Sequence, residues 1–253
     1  SSTLLYHTLT RTRATPTKDF FGIAPGFNED LVLDSSARQF LSINGYDTTA
    51  TSNLVSYLPG SRDEVKSIQH LFASTAGSIG RLLYDDSLIL LDDNASEFAL
   101  KEVGLEDFRY VHFATHSFAN ETDPKLSGML LLPGSGEDGE DGILHSGETY
   151  SLRLNADLVV LSSCDTGVGQ LSDGEGIMGL SRGFLSAGAK NLVVSLWPTD
   201  DIGTKYLMIE FYRRLLQGQS IRDALRKAKL ELINMGDVIA KPYFWSPFIQ
   251  IGV

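Results

Sequence analysis

ADLVVLSS, residues 156–163, is apolar without interruption from Leu158 to Leu161. A strand with one wet face alternates polar and apolar side chains, whereas an unbroken run of this kind suits a strand buried on both faces. KNLVVSLW (190–197) has the same character. Between the two runs, GEGIMGLSRGFLSAGA has helical periodicity and stops at Gly188. Two doubly buried strands joined by a helix form a βαβ unit in a mostly parallel sheet, so the chain is predicted to be an α/β protein.

The pattern continues outward in both directions. KDFFGIAP (18–25), FRYVHFATH (108–116) and GMLLLP (128–133) read as strands, and FWSPFIQIG (244–252) reads as a closing strand. SRDEVKSIQHLFAS (61–74) predicts a helix with a capping box formed by Ser61 and Glu64, followed by Val65, Ile68 and Phe72 on one face. NASEFALKEVG (94–104) predicts a helix capped by Asn94 and stopped at Gly104. Two more helices are marked by Leu207, Phe211 and Leu215, and by Ile221, Leu225, Ala228 and Leu232. GSGEDGEDG (134–142) has no apolar residue and is expected to be a solvated acidic loop.

Composition narrows the function classes. The 253 residues, 42% hydrophobic and 21% charged, are ordinary for one large domain with a buried core. A net charge of −11 argues against direct nucleic-acid binding, which needs a basic face. The lone cysteine excludes an intrachain disulfide framework and fits a reducing, cytoplasmic compartment. No apolar run reaches the roughly 18 residues that span a bilayer, so no membrane association is expected. SSTLLYHTLTRTR (1–13) is not a signal peptide by pattern, and the missing initiator Met suggests a segment of a longer protein.

Chemistry is sought at the carboxyl ends of the strands, where open α/β sheets form their crevices. His116 ends one predicted strand, and Cys164 ends another. A lone cysteine on an apolar strand is ordinarily an inert core residue. Cys164, however, falls at the end of its run and is followed by Asp165, Thr166 and Gly167, which are turn-forming types. A histidine within reach could take the thiol proton and later return it to a leaving amine. The backbone amides after His116 and at Cys164 are candidates for holding the oxyanion.

Two rival motifs compete. Gly174, Gly176 and Gly179 spell G-x-G-x-x-G, with Asp200 further on. Ten residues separate Ser163 from Gly174, too many for the tight turn that a dinucleotide-binding fingerprint needs. His112, His116 and Cys164 offer zinc-type ligands, but HFATH lies in a strand and has no glutamate beside its first histidine. His112 therefore reads as a core or supporting residue.

FATHS (113–117), LSSCDTG (161–167) and GEGIMGLSRGFLSAGAKNLVVSLWPTDD (174–201) resemble the CHAT domain, a caspase-like and separase-related peptidase module. LPGSRDEV (58–65), LSGMLLLP (126–133) and PYFWSPFIQIG (242–252) extend the likeness over about 200 residues in order. The 48-residue gap from His116 to Cys164 is also close to the roughly 50 of caspases.

The resemblance implies one caspase-like domain over residues 1–253, a three-layer sandwich with a mostly parallel central sheet flanked by helices. It implies a cysteine endopeptidase with Cys164 as nucleophile and His116 as acid–base, the amides of Ser117 and Cys164 as oxyanion donors, and no metal or organic cofactor. Ser117 stands where the family usually has glycine. Arginine- and lysine-specific relatives often carry aspartate two residues before the nucleophile, where this chain has Ser162. Asp200 and Asp201 are further candidates for the substrate pocket, with capping of the helix at 202–217 as the competing role. Expected partners are a protein or peptide substrate and a regulatory tetratricopeptide or sensor region outside this chain, in some relatives within bacterial defence or cell death. A catalytically silent module that holds a peptide in the same crevice is the other reading.

Overall fold

The computed structural model describes residues 15–27, 42, 58–75, 86–118, 127–134, 140–162, 175–197, 199 and 201–252. The elements are β1 (Lys18–Ala24), α1 (Pro59–Thr75), β2 (Ser87–Leu91), α2 (Glu97–Glu102), β3 (Phe108–Phe113), β4 (Ser117–Phe118), β5 (Gly128–Leu130), β6 (Ile143–His145) and α3 (Ser146–Thr149). They continue with β7 (Leu158–Leu161), α4 (Glu175–Ala187), β8 (Asn191–Ser195), α5 (Asp201–Leu216), α6 (Ile221–Met235), α7 (Pro242–Trp245) and β9 (Phe248–Gly252).

Six strands form one sheet in the order β2-β1-β3-β7-β8-β9. All neighbours pair in parallel except β8 with β9, which is antiparallel. The two-residue period of a strand sends successive side chains to opposite faces, and the two buried clusters divide accordingly. Phe21, Ile23, Val111, Phe113, Val159, Leu161, Leu192 and Val194 meet Leu180 and Phe184 of α4 on one face. Phe20, Tyr110, Leu158, Val160 and Val193 meet Val65 and Ile68 of α1, Leu207 and Phe211 of α5, and Ala224 and Ala228 of α6 on the other. The helix stripes read from sequence are thus the buried faces. Helix α1 lies so close on β1 that a Cβ at Gly22 would come within 2.7 Å of Val65 Cγ1.

Several local expectations are corrected. Ser61 and Glu64 do not make a capping box, because α1 starts earlier, at Pro59. The Ser61 hydroxyl donates to the Leu58 carbonyl, and Glu64 is turned into the core. Helix α2 is capped by Ser96, whose hydroxyl accepts from Ala99 N at 3.1 Å, whereas Asn94 belongs to a preceding 3-10 turn. PYFW forms the short helix α7, so the closing strand begins only at Phe248.

A second, antiparallel sheet joins β4, β5 and β6. It braces the segment after β3: Leu130 N donates to the His116 carbonyl at 2.9 Å, and the Thr115 hydroxyl donates to the Leu130 carbonyl at 2.5 Å. At the base of the acidic loop, Gly134 N donates to the Glu140 carbonyl at 3.4 Å, while residues 135–139 lie outside the described residues. Among the described residues, no helix is long and apolar enough to cross a membrane.

Candidate active site

The strand order reverses between β1 and β3. The chain runs outward from β1 to β2, returns across β1 to β3, and then proceeds the other way through β7 and β8. In open α/β sheets the crevice opens beyond the carboxyl ends of the strands at such a reversal. Phe27 lies three residues past β1 and His116 three residues past β3, and their rings meet there with centroids 5.4 Å apart. His116 is 1% exposed, and Phe27 is equally buried. The strand itself ends at Phe113, earlier than FRYVHFATH suggests, so His116 sits on the loop that leads into β4.

Strand β3 pairs with β7 in parallel, with Tyr110 opposite Leu158 and Phe113 opposite Leu161. The pairing reaches one residue past β7, where Ser162 N donates to the Phe113 carbonyl at 3.0 Å. Ser117 opens β4, half-buried, and pairs with Met129. Asp201 opens α5, and its carboxylate accepts from Gly60 N at 2.5 Å. That bond satisfies an amide in the first turn of α1, a capping role supplied from another helix. Cys164 and Asp200 lie outside the described residues.

Behind the strand ends lies a polar network that the sequence reading missed. Glu64 of α1, His112 of β3, Ser162 and Tyr212 of α5 are all buried, His112 and Tyr212 fully. His112 Nε2 lies 2.7 Å from Glu64 Oε1, and the Ser162 hydroxyl donates to the same oxygen at 2.6 Å. Ser162 Oγ is also 3.2 Å from His112 Nε2, and His112 Nδ1 is 3.3 Å from the Tyr212 hydroxyl. Burial pushes the Tyr212 phenol well above its usual range, and the Glu64 carboxylate and Tyr110 add to the effect. Tyr212 therefore stays protonated and can donate to Nδ1 while Nε2–H faces Glu64.

A sequence signal for Glu64 exists in retrospect. Residues 64, 68 and 72 fall at four-residue steps, so a carboxylate at 64 shares the inward face with Ile68 and Phe72. Likewise, His112 shares the sheet face of Tyr110 by the two-residue period.

The CHAT domain family model matches residues 7–253. The chain belongs to the CHAT domain family. Its curated relatives include tetratricopeptide repeat protein 28 of Mus musculus, 33% identical over 44% of this chain, and that of Homo sapiens, 28% identical over 56%. The chain spans only 4% and 7% of the length of these two proteins. Among solved structures it resembles the Arg-specific cysteine proteinase gingipain R, with a TM-score of 0.58 at 8% identity, covering 99% of this chain and 50% of that one. At that identity the likeness concerns the fold, and the CHAT chain has the caspase-like α/β architecture that its motifs imply.

Proposed function

We propose that this CHAT domain is a cysteine endopeptidase in which Cys164 is the nucleophile and His116 the general acid–base. The observation that carries the reading is the register of β3 on β7. Each residue from Tyr110 to Phe113 faces the residue 48 further along, as Phe113 faces Leu161, and 48 is also the separation of His116 from Cys164. Family membership and the position of His116 at the topological reversal support the same site.

In this reading His116 takes the Cys164 proton, and the thiolate adds to the carbonyl carbon of the scissile peptide. The amides of Ser117 and Cys164 hold the oxyanion. Collapse breaks the C–N bond as His116 returns the proton to the leaving amine, giving a thioester. Water, deprotonated by His116, then hydrolyses the thioester and restores the thiol. In this reading no step calls on a metal or organic cofactor.

The substrate is a protein or peptide, and the proposed compartment is cytoplasmic. The activity would be governed by a tetratricopeptide or other sensor region of a longer protein, as the names of the relatives invite. A defence or cell-death role would fit such regulated proteolysis.

The burial of His116 against Phe27 favours one second reading, a catalytically silent module that holds a peptide in the same crevice. A peptide electrophile separates the two. Stoichiometric labelling of Cys164 that is lost in His116→Ala supports the peptidase. Labelling that is absent, or equal in both proteins, supports the silent module.

A further inference from the structure

Two strands carry the proposed dyad, and a parallel sheet alone does not hold their ends in fixed relation past the last ladder bond. Among the described residues, Ser162 N to the Phe113 carbonyl is the last backbone bond between the two strands, and side chains reinforce the register there. The groups available are those of the buried network. Ser162 stands two residues before Cys164, and His112 stands four residues before His116. Glu64 binds both, with one carboxylate oxygen 2.6 Å from Ser162 Oγ and 2.7 Å from His112 Nε2. Tyr212 closes the far side of the imidazole from α5.

We propose that Glu64 and Ser162 are positioning residues of the peptidase site: the carboxylate from α1 ties the β7 exit to β3 and so fixes where the Cys164 thiol emerges relative to His116. This inference rests on the dyad reading above. It also gives Ser162 a role different from lining a substrate pocket, since its hydroxyl is 2.6 Å from Glu64 and the residue is 5% exposed.

The geometry explains why a charged group is kept in an otherwise apolar layer. A buried carboxylate costs desolvation unless several donors meet it. Here two donors from two adjacent strands converge on one oxygen, which only the native register allows. A slip of either strand by one residue would turn His112 or Ser162 to the opposite face and leave Glu64 without one of its two donors. The network thus penalises a one-residue slip of β7 against β3.

The test uses the chain's single cysteine, so alkylation by iodoacetamide reports Cys164 alone. The pH profile of the alkylation rate is measured for the wild type, His116→Ala, Ser162→Ala and Glu64→Gln, with the melting temperature of each. In the wild type the histidine is expected to hold the reaction midpoint below that of a free thiol. Ser162→Ala and Glu64→Gln are expected to move the midpoint towards the free-thiol value and to slow alkylation at neutral pH by about tenfold or more, at temperatures well below unfolding. A purely structural role would lower the melting temperature and leave the midpoint in place, and that result overturns the inference. Should Glu64→Gln not fold, the smaller change Ser162→Ala decides. If His116→Ala itself leaves the profile unchanged, the dyad reading falls, and this inference with it. If His116→Ala moves the midpoint and Ser162→Ala does not, only the positioning role falls.

Discussion

Tyr212 contributes one hydroxyl to the network around His112, and it is the member that can be removed with least change of shape. Its ring is fully buried and packs edge-on against Phe20, Tyr110 and His112. Tyr212→Phe keeps those contacts but leaves His112 Nδ1 without its 3.3 Å partner. An orphaned buried acceptor costs about 1–3 kcal/mol. Urea unfolding of Tyr212→Phe should therefore show a lower midpoint with unchanged denaturant dependence, and an unshifted midpoint would mean that the contact contributes nothing. Sequence reasoning singled out the residues whose chemistry is conspicuous, His116 and Cys164, because each lies near the end of an apolar run. It assigned Glu64 to a cap, since a serine three residues before a glutamate is the usual mark of one. The pattern could not tell that Leu58 and Pro59 would start the helix earlier and turn that carboxylate inward. Ser162 was connected with the substrate pocket through family resemblance, and the contact with Glu64 arises only from folding, because residues 64 and 162 are far apart in the chain.

At the scale of elements, the capping of α2 separates what was read from what formed. Asn94 and Ser96 are both good cap residues, but the chain makes a 3-10 turn over Asp92–Asn94 and begins α2 at Glu97. Asp92 has φ 52°, a left-handed conformation that the turn requires. Ser96→Ala should cost about 1 kcal/mol, whereas Asn94→Ala should stay within about 0.5 kcal/mol. Thermal or urea unfolding of the two variants side by side checks this, and equal effects would return the cap to Asn94. The long elements were legible because each buries a face with its own period. The apolar runs of β7 and β8 and the stripes of α1, α5 and α6 all reappear as core. The short ones were not. β4 has two residues and β6 three, too few for any period to emerge. PYFW is aromatic enough to suit a strand, but Pro242 at the first helical position starts α7 instead.

At the scale of the whole molecule, a cluster of charges that joins α2, α3 and the end of the acidic loop should give the protein a pH-dependent stability. Lys101 of α2 reaches three carboxylates: Glu97 at 2.8 Å, Glu140 at 2.5 Å and Glu148 at 2.7 Å. Through them α2 is joined to the end of the acidic loop and to α3, and Glu97 Oε2 also accepts from Gly142 N at 3.0 Å. These three acids are close enough to chelate a cation, but the Lys101 ammonium already lies among them. Burial pushes the Glu97 carboxyl up from 4.5 to about 7, with the neighbouring Glu148 and Glu140 adding to the rise and Lys101 opposing it. The sign follows from proton binding. Between about pH 4.5 and pH 7 the unfolded chain has lost this proton and the folded chain still holds it, so stability falls as pH rises through that window. The contribution is fully present below the unfolded value and gone above the folded one, and it amounts to about 3 kcal/mol for a shift of this size. Glu97→Gln cannot titrate and should not lose that contribution. Urea unfolding of the wild type and Glu97→Gln across this range isolates the effect, because the other groups, His145 with Asp141 among them, are common to both proteins. The difference in unfolding free energy should move in favour of the variant as pH rises to about 7. Two curves that stay parallel over the whole range would show that Glu97 ionises in the folded protein as it does in the unfolded chain.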